Sequence, residues 1–192
     1  MIRSQGLPER KEELVAAAYR EIATNGFEGL RTRDVASAVG VNVATLHYYF
    51  PTKEDLIKAV VGHAMSRFQS TLRPEGSAIE RLRAHFHGLR GLARDEPELF
   101  ATMAELTLRA PRDKPLAAII QKTNEFWEGT LRTLLRSARE DGELPKGIDP
   151  DGMAAVIVAT LKGVFLLPGR ARVPEGFDKA LRQLERLIGL RD

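Results

Sequence analysis

The stretch TRDVASAVGVNVATLHYYF, residues Thr32–Phe50, decides the fold. It predicts two short helices joined by a tight turn, the arrangement of a helix-turn-helix. Ala36 is small enough for two helices to approach closely, and Gly40 suits the unusual backbone angle of the turn. The second of these helices would then leave one face free to enter a DNA major groove, which is about 12 Å wide. That face consists of Val43, Ala44, Thr45, His47 and Tyr48.

Helical signals continue on both sides of this stretch. Asn25-Gly26 is predicted to end the first helix, while Thr32, Asn42 and Thr52 are predicted to cap the next three. Apolar residues recur at helical spacing to the end of the chain, without the alternation that is typical of strands. We therefore expect an all-α protein of about nine helices, with a three-helix head on a larger helical domain.

The composition disfavours several classes of protein. The 192-residue chain has no cysteine, so it holds no disulfide and no thiolate metal site. Together with the absence of an apolar leader, this predicts a cytoplasmic protein. No common catalytic or nucleotide-binding motif is present, and His85 and His87, two residues apart, would point to opposite sides of a helix. We expect no enzymatic activity, no metal and no cofactor. The net charge of +3 is compatible with nucleic-acid binding but does not argue for it alone.

The segment LRTRDVASAVGVNVATLHYYFPTKEDLIKAVV, residues Leu30–Val61, resembles the N-terminal domain of the TetR family of transcriptional regulators. Its most specific part is Tyr49-Phe50 followed by Pro-Thr-Lys-Glu-Asp-Leu. The resemblance implies a DNA-binding domain over residues 1–53, with the start of a connecting helix over 52–72. A helical ligand-binding and dimerisation domain would follow over residues 54–192.

The same resemblance implies which residues contact an operator. They are Thr32 and Arg33 as phosphate or base contacts, Val43, Ala44 and Thr45 as base-reading residues, His47, Tyr48 and Tyr49 along the same helix, and Lys53 as a phosphate clamp. Tyr49 can instead serve packing alone, and Lys53 can be a solvated lysine. The family often has Lys where this chain has Val43 and Tyr where it has His47, so a cationic contact is lost, and Val43 and Ala44 could instead touch thymine methyl groups.

A lone amide marks the candidate ligand site. Asn124 lies on the same predicted helix face as Ile120 and Trp127, where it is either a hydrogen-bonded core amide or a polar anchor in an apolar cavity. The residues predicted to line such a cavity, each of which also suits an ordinary core, are Phe86, Leu89, Met103, Leu106, Asn124, Trp127 and Leu131. Glu105 and Arg109, four residues apart, are expected to pair on the surface.

The eighth predicted helix is apolar on nearly all sides, which implies cover from several directions. Ala155, Ala159 and Gly163 form a smooth ridge that permits close approach of another helix. The family resemblance implies that the last two helices build a four-helix dimer interface, with Leu181, Leu184 and Ile188 from the ninth helix.

The function expected from these features is that of a homodimeric repressor, released from double-stranded operator DNA by a small, mostly apolar ligand. Two alternatives stay open at this point. One is a DNA-binding protein without a small-molecule effector that acts through a protein partner, and the other is a helical-bundle enzyme with a vestigial helix-turn-helix. A membrane protein is not expected, because the apolar run Met153–Leu167 is interrupted by Lys162 and is too short to span a bilayer.

Overall fold

The computed structural model describes residues 7–166 and 173–190 of the chain. Within them the structure is helical, which confirms the predicted all-α fold. The helices are α1 (Leu7–Gly29), α2 (Thr32–Ala38), α3 (Val43–Tyr49), α4 (Lys53–Gln69), α5 (Ala78–Asp95), α6 (Pro97–Arg109), α7 (Lys114–Glu140), α8 (Pro150–Leu166) and α9 (Val173–Leu187), with a short 3-10 helix at Ala110–Arg112. None of these described helices is both long and apolar enough to cross a membrane.

The described chain forms two compact units. Unit 1 contains the residues up to Met65 together with Ala101–Ile120, and unit 2 contains Ser66–Phe100 together with the residues from Gln121 onward. The division therefore falls inside α4, α6 and α7. The predicted boundary at residue 53 separates a DNA-binding function from a ligand-binding function, not one compact unit from another. It therefore stays a prediction.

Unit 1 is shaped by glycine turns and by side-chain caps. The helical path of α1 is broken at Gly26, whose φ of 74° explains why a glycine stands there, and Gly40 after α2 has a φ of 70°. Asn42 caps α3 as predicted, because its side chain accepts a hydrogen bond from the Thr45 N–H. The prediction for α2 was wrong: Thr32 is its first helical residue, and the preceding Arg31 provides no side-chain cap.

Unit 2 is held by aromatic packing and by ion pairs. Phe68 packs edge-on against Phe100 at 5.4 Å between ring centroids and stacks on Trp127 at 6.1 Å. In the same unit, Arg90 of α5 forms ion pairs with Asp178 and Glu185 of α9. These contacts tie α9 to α5 from within the chain.

Candidate nucleic-acid interface and helical interior

The orientation of α3 follows from one buried residue and one cap. Leu46 is 1% exposed and packs in the core of unit 1, which turns the opposite side of this short helix outward. Asn42 Oδ1 accepts from the Thr45 backbone N–H at 2.7 Å and from the Thr45 hydroxyl at 2.9 Å. Because the hydroxyl hydrogen is used in this way, the Thr45 side chain offers a ligand only the lone pairs of its oxygen and its methyl group.

The residues predicted to touch DNA differ in their exposure. Tyr48 has 75% of its surface exposed, and its ring is edge-on to that of Tyr49 at 5.3 Å between centroids. Val43 and Tyr49 are half-buried and pack against the core of unit 1, so packing is at least part of their role. Of the remaining predicted residues, Thr32 and Thr45 are half-buried and Arg33, Ala44, His47 and Lys53 are exposed.

Lys53 lies at the start of α4 beside an aromatic ring. Its ammonium is 4.8 Å from the centroid of Phe27, and the Arg109 guanidinium is 5.4 Å from the same centroid. The ring of Phe27 therefore has cation–π contacts to two cations. Lys53 is exposed, so its charge stays in reach of a phosphate group.

The predicted surface pair of Glu105 and Arg109 is wrong, and both side chains act on the turn after α1. Glu105 Oε1 accepts from the backbone N–H of Phe27 at 3.1 Å, and Arg109 forms an ion pair with Glu28 at 2.6 Å. Spacing along one helix could not reveal this, because both partners come from a segment about eighty residues earlier. Gly26 marks this turn in the sequence, but it does not identify the side chains that bind there.

The predicted ligand-binding residues are divided between the two units. Leu106 belongs to the core of unit 1, and Met103 packs against that core. Phe86, Leu89 and Leu131 are fully buried in unit 2, whereas Asn124 and Trp127 are half-buried there. The structure thus brings five of the seven predicted residues into unit 2. Of these five, only Asn124 and Trp127 have exposed surface that a ligand could contact.

His85, one of the two histidines singled out in the sequence, forms a complete hydrogen-bond chain in unit 2. Trp127 Nε1 donates to His85 Nε2 at 3.3 Å, which makes Nδ1 the protonated nitrogen of a neutral ring. Nδ1 is 2.5 Å from Thr71 Oγ1, and that hydroxyl donates to the Phe68 carbonyl at 2.7 Å. Burial lowers the pKa of His85 to about 4, so the ring is neutral at physiological pH. Among the described residues there is no cluster of three metal-ligating side chains.

Asn124 also has a polar partner, which the sequence analysis did not identify. Its Oδ1 accepts a hydrogen bond from the ammonium of Lys162 on α8. Burial lowers the pKa of Lys162 below its ordinary value, and the nearby carboxylate of Glu128 opposes that shift. The lysine that interrupts the apolar run of α8 is therefore paired with the lone amide of α7.

The residues predicted at a dimer interface also separate by exposure. Ala155 and Ala159 are exposed on α8, next to Val156 with 47% of its surface exposed. Leu181, Leu184 and Ile188 are between 0% and 3% exposed within the single chain, so their side chains cannot reach a second copy. Their helical spacing marks the inner face of α9, and among the described side chains of that helix the large apolar one that is exposed is Leu187.

Comparison with known families matches most of the chain. A family model described as "Bacterial regulatory proteins, tetR family" matches residues 14–60. A second, described as "BetI-type transcriptional repressor, C-terminal", matches residues 78–189, which is more than half of the chain. The chain belongs to the TetR family. The resemblance seen at Leu30–Val61 is therefore confirmed and extends over the C-terminal helices.

Known transcriptional regulators are similar to this chain along most of their length. The HTH-type transcriptional repressor AcnR of Corynebacterium jeikeium is 24% identical over 181 residues, which cover 93% of this chain and 92% of that protein. The fatty acid metabolism regulator protein of Bacillus subtilis is 28% identical over 148 residues, or 71% of this chain and 72% of the relative. A TetR transcription regulator from Haloarcula marismortui shares the fold with a TM-score of 0.81 at 19% identity, covering 96% and 98% of the two chains. As a TetR-family member, this chain is a DNA-binding transcriptional regulator.

Proposed function

We propose that this protein is a homodimeric, cytoplasmic repressor that binds operator DNA through α3 and releases it when a small, mostly apolar ligand binds unit 2. It acts by binding and not by catalysis. The observation that carries the DNA-binding part is the outward face of α3. That face is held rigidly by the Asn42 cap and by the buried Leu46, and it exposes Ala44, His47 and Tyr48.

The chemistry of α3 favours apolar reading of base edges. The side chains of Val43, Ala44 and Thr45 have no guanidinium, ammonium or carboxamide group, so they cannot make the bidentate contacts that identify guanine or adenine. Their methyl groups can make apolar contacts with the methyl group of thymine. His47 and Tyr48 supply polar contacts beside them, and the exposed cations Arg33 and Lys53 are placed for phosphate groups.

A dimer is needed to present two copies of α3 about one helical turn of DNA apart, roughly 34–36 Å. We propose that α8 forms its centre through the exposed residues Ala155, Val156 and Ala159, with Gly163 continuing the small-residue ridge. Leu187 of α9 adds an exposed apolar side chain. This revises the interface expected from the sequence, in which buried residues of α9 took part.

Ligand control requires that the ligand prefer the conformation that does not bind DNA. A preference of about 1.4 kcal/mol would lower operator affinity tenfold. The half-buried Trp127 and Asn124 in unit 2 support a site there, because they join an aromatic surface to a polar group on one helix face.

The DNA-binding proposal can be tested with duplexes selected from a random library, using fluorescence anisotropy at fixed salt. Tyr48→Ala should weaken binding to the selected duplex without loss of helicity, because this side chain lies outside the core. Phe126→Ala is a matched control, since Phe126 is an aromatic residue of unit 2 with 55% of its surface exposed. If Tyr48→Ala and Phe126→Ala both bind like the wild type, α3 does not read the operator in this way.

The dimer proposal has a separate test. Ala159→Arg places a charged side chain in the proposed helix contact and should yield monomers in sedimentation analysis, whereas Ala118→Arg, at an exposed alanine of α7, should leave the dimer intact. An intact Ala159→Arg dimer would place the interface elsewhere. A folded dimer that binds DNA with an affinity that no small molecule changes would favour the alternative in which a protein partner controls the repressor.

A further inference from the structure

Lys162 is a cation in a largely apolar helix. On α8 it follows the buried Leu161 and precedes Gly163 of the small-residue ridge. Its own side chain is half-buried in unit 2. Its ammonium donates to Asn124 Oδ1, a neutral acceptor. Burying a charge is costly unless an opposite charge compensates it, and the lowered pKa of Lys162 reflects that cost.

The charge of Lys162 is not neutralised by a direct ion pair. Among the described residues no carboxylate lies within 4.0 Å of its ammonium nitrogen. Glu128 is the nearby acid, but its Oε1 is 2.6 Å from Arg132 Nη2, so these two charges compensate each other. One positive charge therefore remains at the Asn124–Lys162 pair.

The same pair has hydrogen-bond donors to spare. The oxygen of the Asn124 amide already accepts from Lys162, so its remaining polar group is the NH2, which can only donate. The structure gives neither this NH2 nor the other ammonium hydrogens an acceptor among the described residues. The pair thus offers donors and a single positive charge, and the group that complements it is a singly charged anion with acceptor oxygens.

We infer that Lys162 and Asn124 bind the carboxylate of an amphipathic ligand whose apolar part lies against Trp127. Asn124 and Trp127 are three residues apart and therefore share one face of α7. Trp127 is half-buried and stacks on Phe68, so the exposed part of its ring is an apolar surface on the helix face that also carries Asn124. A monocarboxylate fits better than a phosphate monoester, because one uncompensated cation cannot neutralise two negative charges. This inference rests on the proposed ligand control of the repressor and names the chemical class of the effector.

The test uses the full-length dimer and straight-chain carboxylates, namely octanoate, decanoate and dodecanoate, each beside the primary alcohol of the same length. Binding is followed by the fluorescence of Trp127, the only tryptophan in the chain. Wild-type protein should saturate with at least one carboxylate and bind it tighter than the alcohol. Lys162→Met should weaken carboxylate binding tenfold or more, the loss expected for one charge-assisted hydrogen bond, and leave alcohol binding unchanged.

Two further variants separate a binding role from a structural one. Lys162→Arg keeps the charge and should keep most of the preference for carboxylate over alcohol. Lys122→Met removes an exposed lysine from α7 and should bind like the wild type. Equal affinity of wild type and a folded Lys162→Met for every carboxylate would overturn the inference, and so would the absence of any saturable response by the wild type.

Operator titrations on the same samples keep this inference distinct from the proposed function. If alcohols release wild-type protein from DNA as well as carboxylates do, the apolar effector stands and the carboxylate site falls. If a carboxylate binds through Lys162 but leaves operator affinity unchanged, the site stands and the proposed ligand control falls.

Discussion

Replacing Arg90 should reveal how strongly unit 2 depends on its ionic contact between α5 and α9. Arg90 Nη1 and Nη2 donate to the two carboxylate oxygens of Glu185 at 2.7 and 2.6 Å, and Nε donates to Asp178 at 2.7 Å. Glu185 is 3% exposed, whereas the Arg90 side chain is 20% exposed. Arg90→Met keeps an apolar stem but leaves the buried carboxylate without its guanidinium.

The expected loss follows from this burial. Removing one partner of a buried ion pair costs about 3–5 kcal/mol, and the partial exposure of Arg90 places this case near 3 kcal/mol. That is a large share of the roughly 5–15 kcal/mol that stabilises a typical protein. For a chain of this length it corresponds to a fall in Tm of about 6–12 °C.

Urea unfolding followed by far-UV circular dichroism, at one protein concentration for all variants, measures the effect. Arg136→Met is the matched control, because Arg136 also makes two hydrogen bonds to one carboxylate, that of Asp151, but with both side chains about half exposed. Its loss should be much smaller, since water screens the exposed pair. Equal losses for the two variants would refute the argument that burial sets the size of the effect.

Three further predictions concern α3, the phosphate contact and the interior. Asn42→Ala should destabilise the protein by about 1 kcal/mol in thermal unfolding and weaken DNA binding, because it removes the cap that also holds Thr45, while Asn42→Asp should retain most of both. Lys53→Ala should lower the slope of log K against log salt by about 1, and an unchanged slope would remove Lys53 from the DNA contacts. The pKa of His85, lowered to about 4 by burial, lies below the value near 6.5 expected in the unfolded chain. The unfolded state therefore binds the proton first, so the stabilisation from neutral His85 is present above about pH 6.5 and is lost as the pH falls toward 4, by roughly 3 kcal/mol in all. His85→Phe should flatten this dependence in unfolding titrations, and identical pH profiles for wild type and His85→Phe would contradict the assignment.

The features that the sequence predicted correctly are those set by neighbouring residues. The cap at Asn42 and the turn at Gly40 each depend on an interaction within a few residues, so the pattern of residue types contains the information. The helix-turn-helix is recognisable for the same reason. Glycine at a positive φ and a short polar cap are local requirements that few other residues meet.

The features that the sequence could not predict depend on contacts between distant segments. Glu105 was expected to pair with its helical neighbour Arg109, but both side chains act on the turn at Gly26–Glu28. Leu106 has the same apolar character as Leu89, yet α6 carries Leu106 into the core of unit 1 while Leu89 lies in unit 2. Periodicity shows that a residue is buried, but it does not show which core receives it.

The two polar sites in unit 2 show how hydrogen bonding separates a structural group from a binding group. In sequence, His85 and Asn124 look alike, since each is a polar residue among apolar ones. In the structure both nitrogens of His85 are engaged, by Trp127 and Thr71, so a ligand would have to break an existing contact to use them. The Asn124–Lys162 pair instead keeps donors without an acceptor among the described residues and one uncompensated charge, and an anion can pair with both without breaking a contact within the chain. A ligand gains more at the second site than at the first, which is why the effector is expected beside Lys162 while His85 holds the interior together.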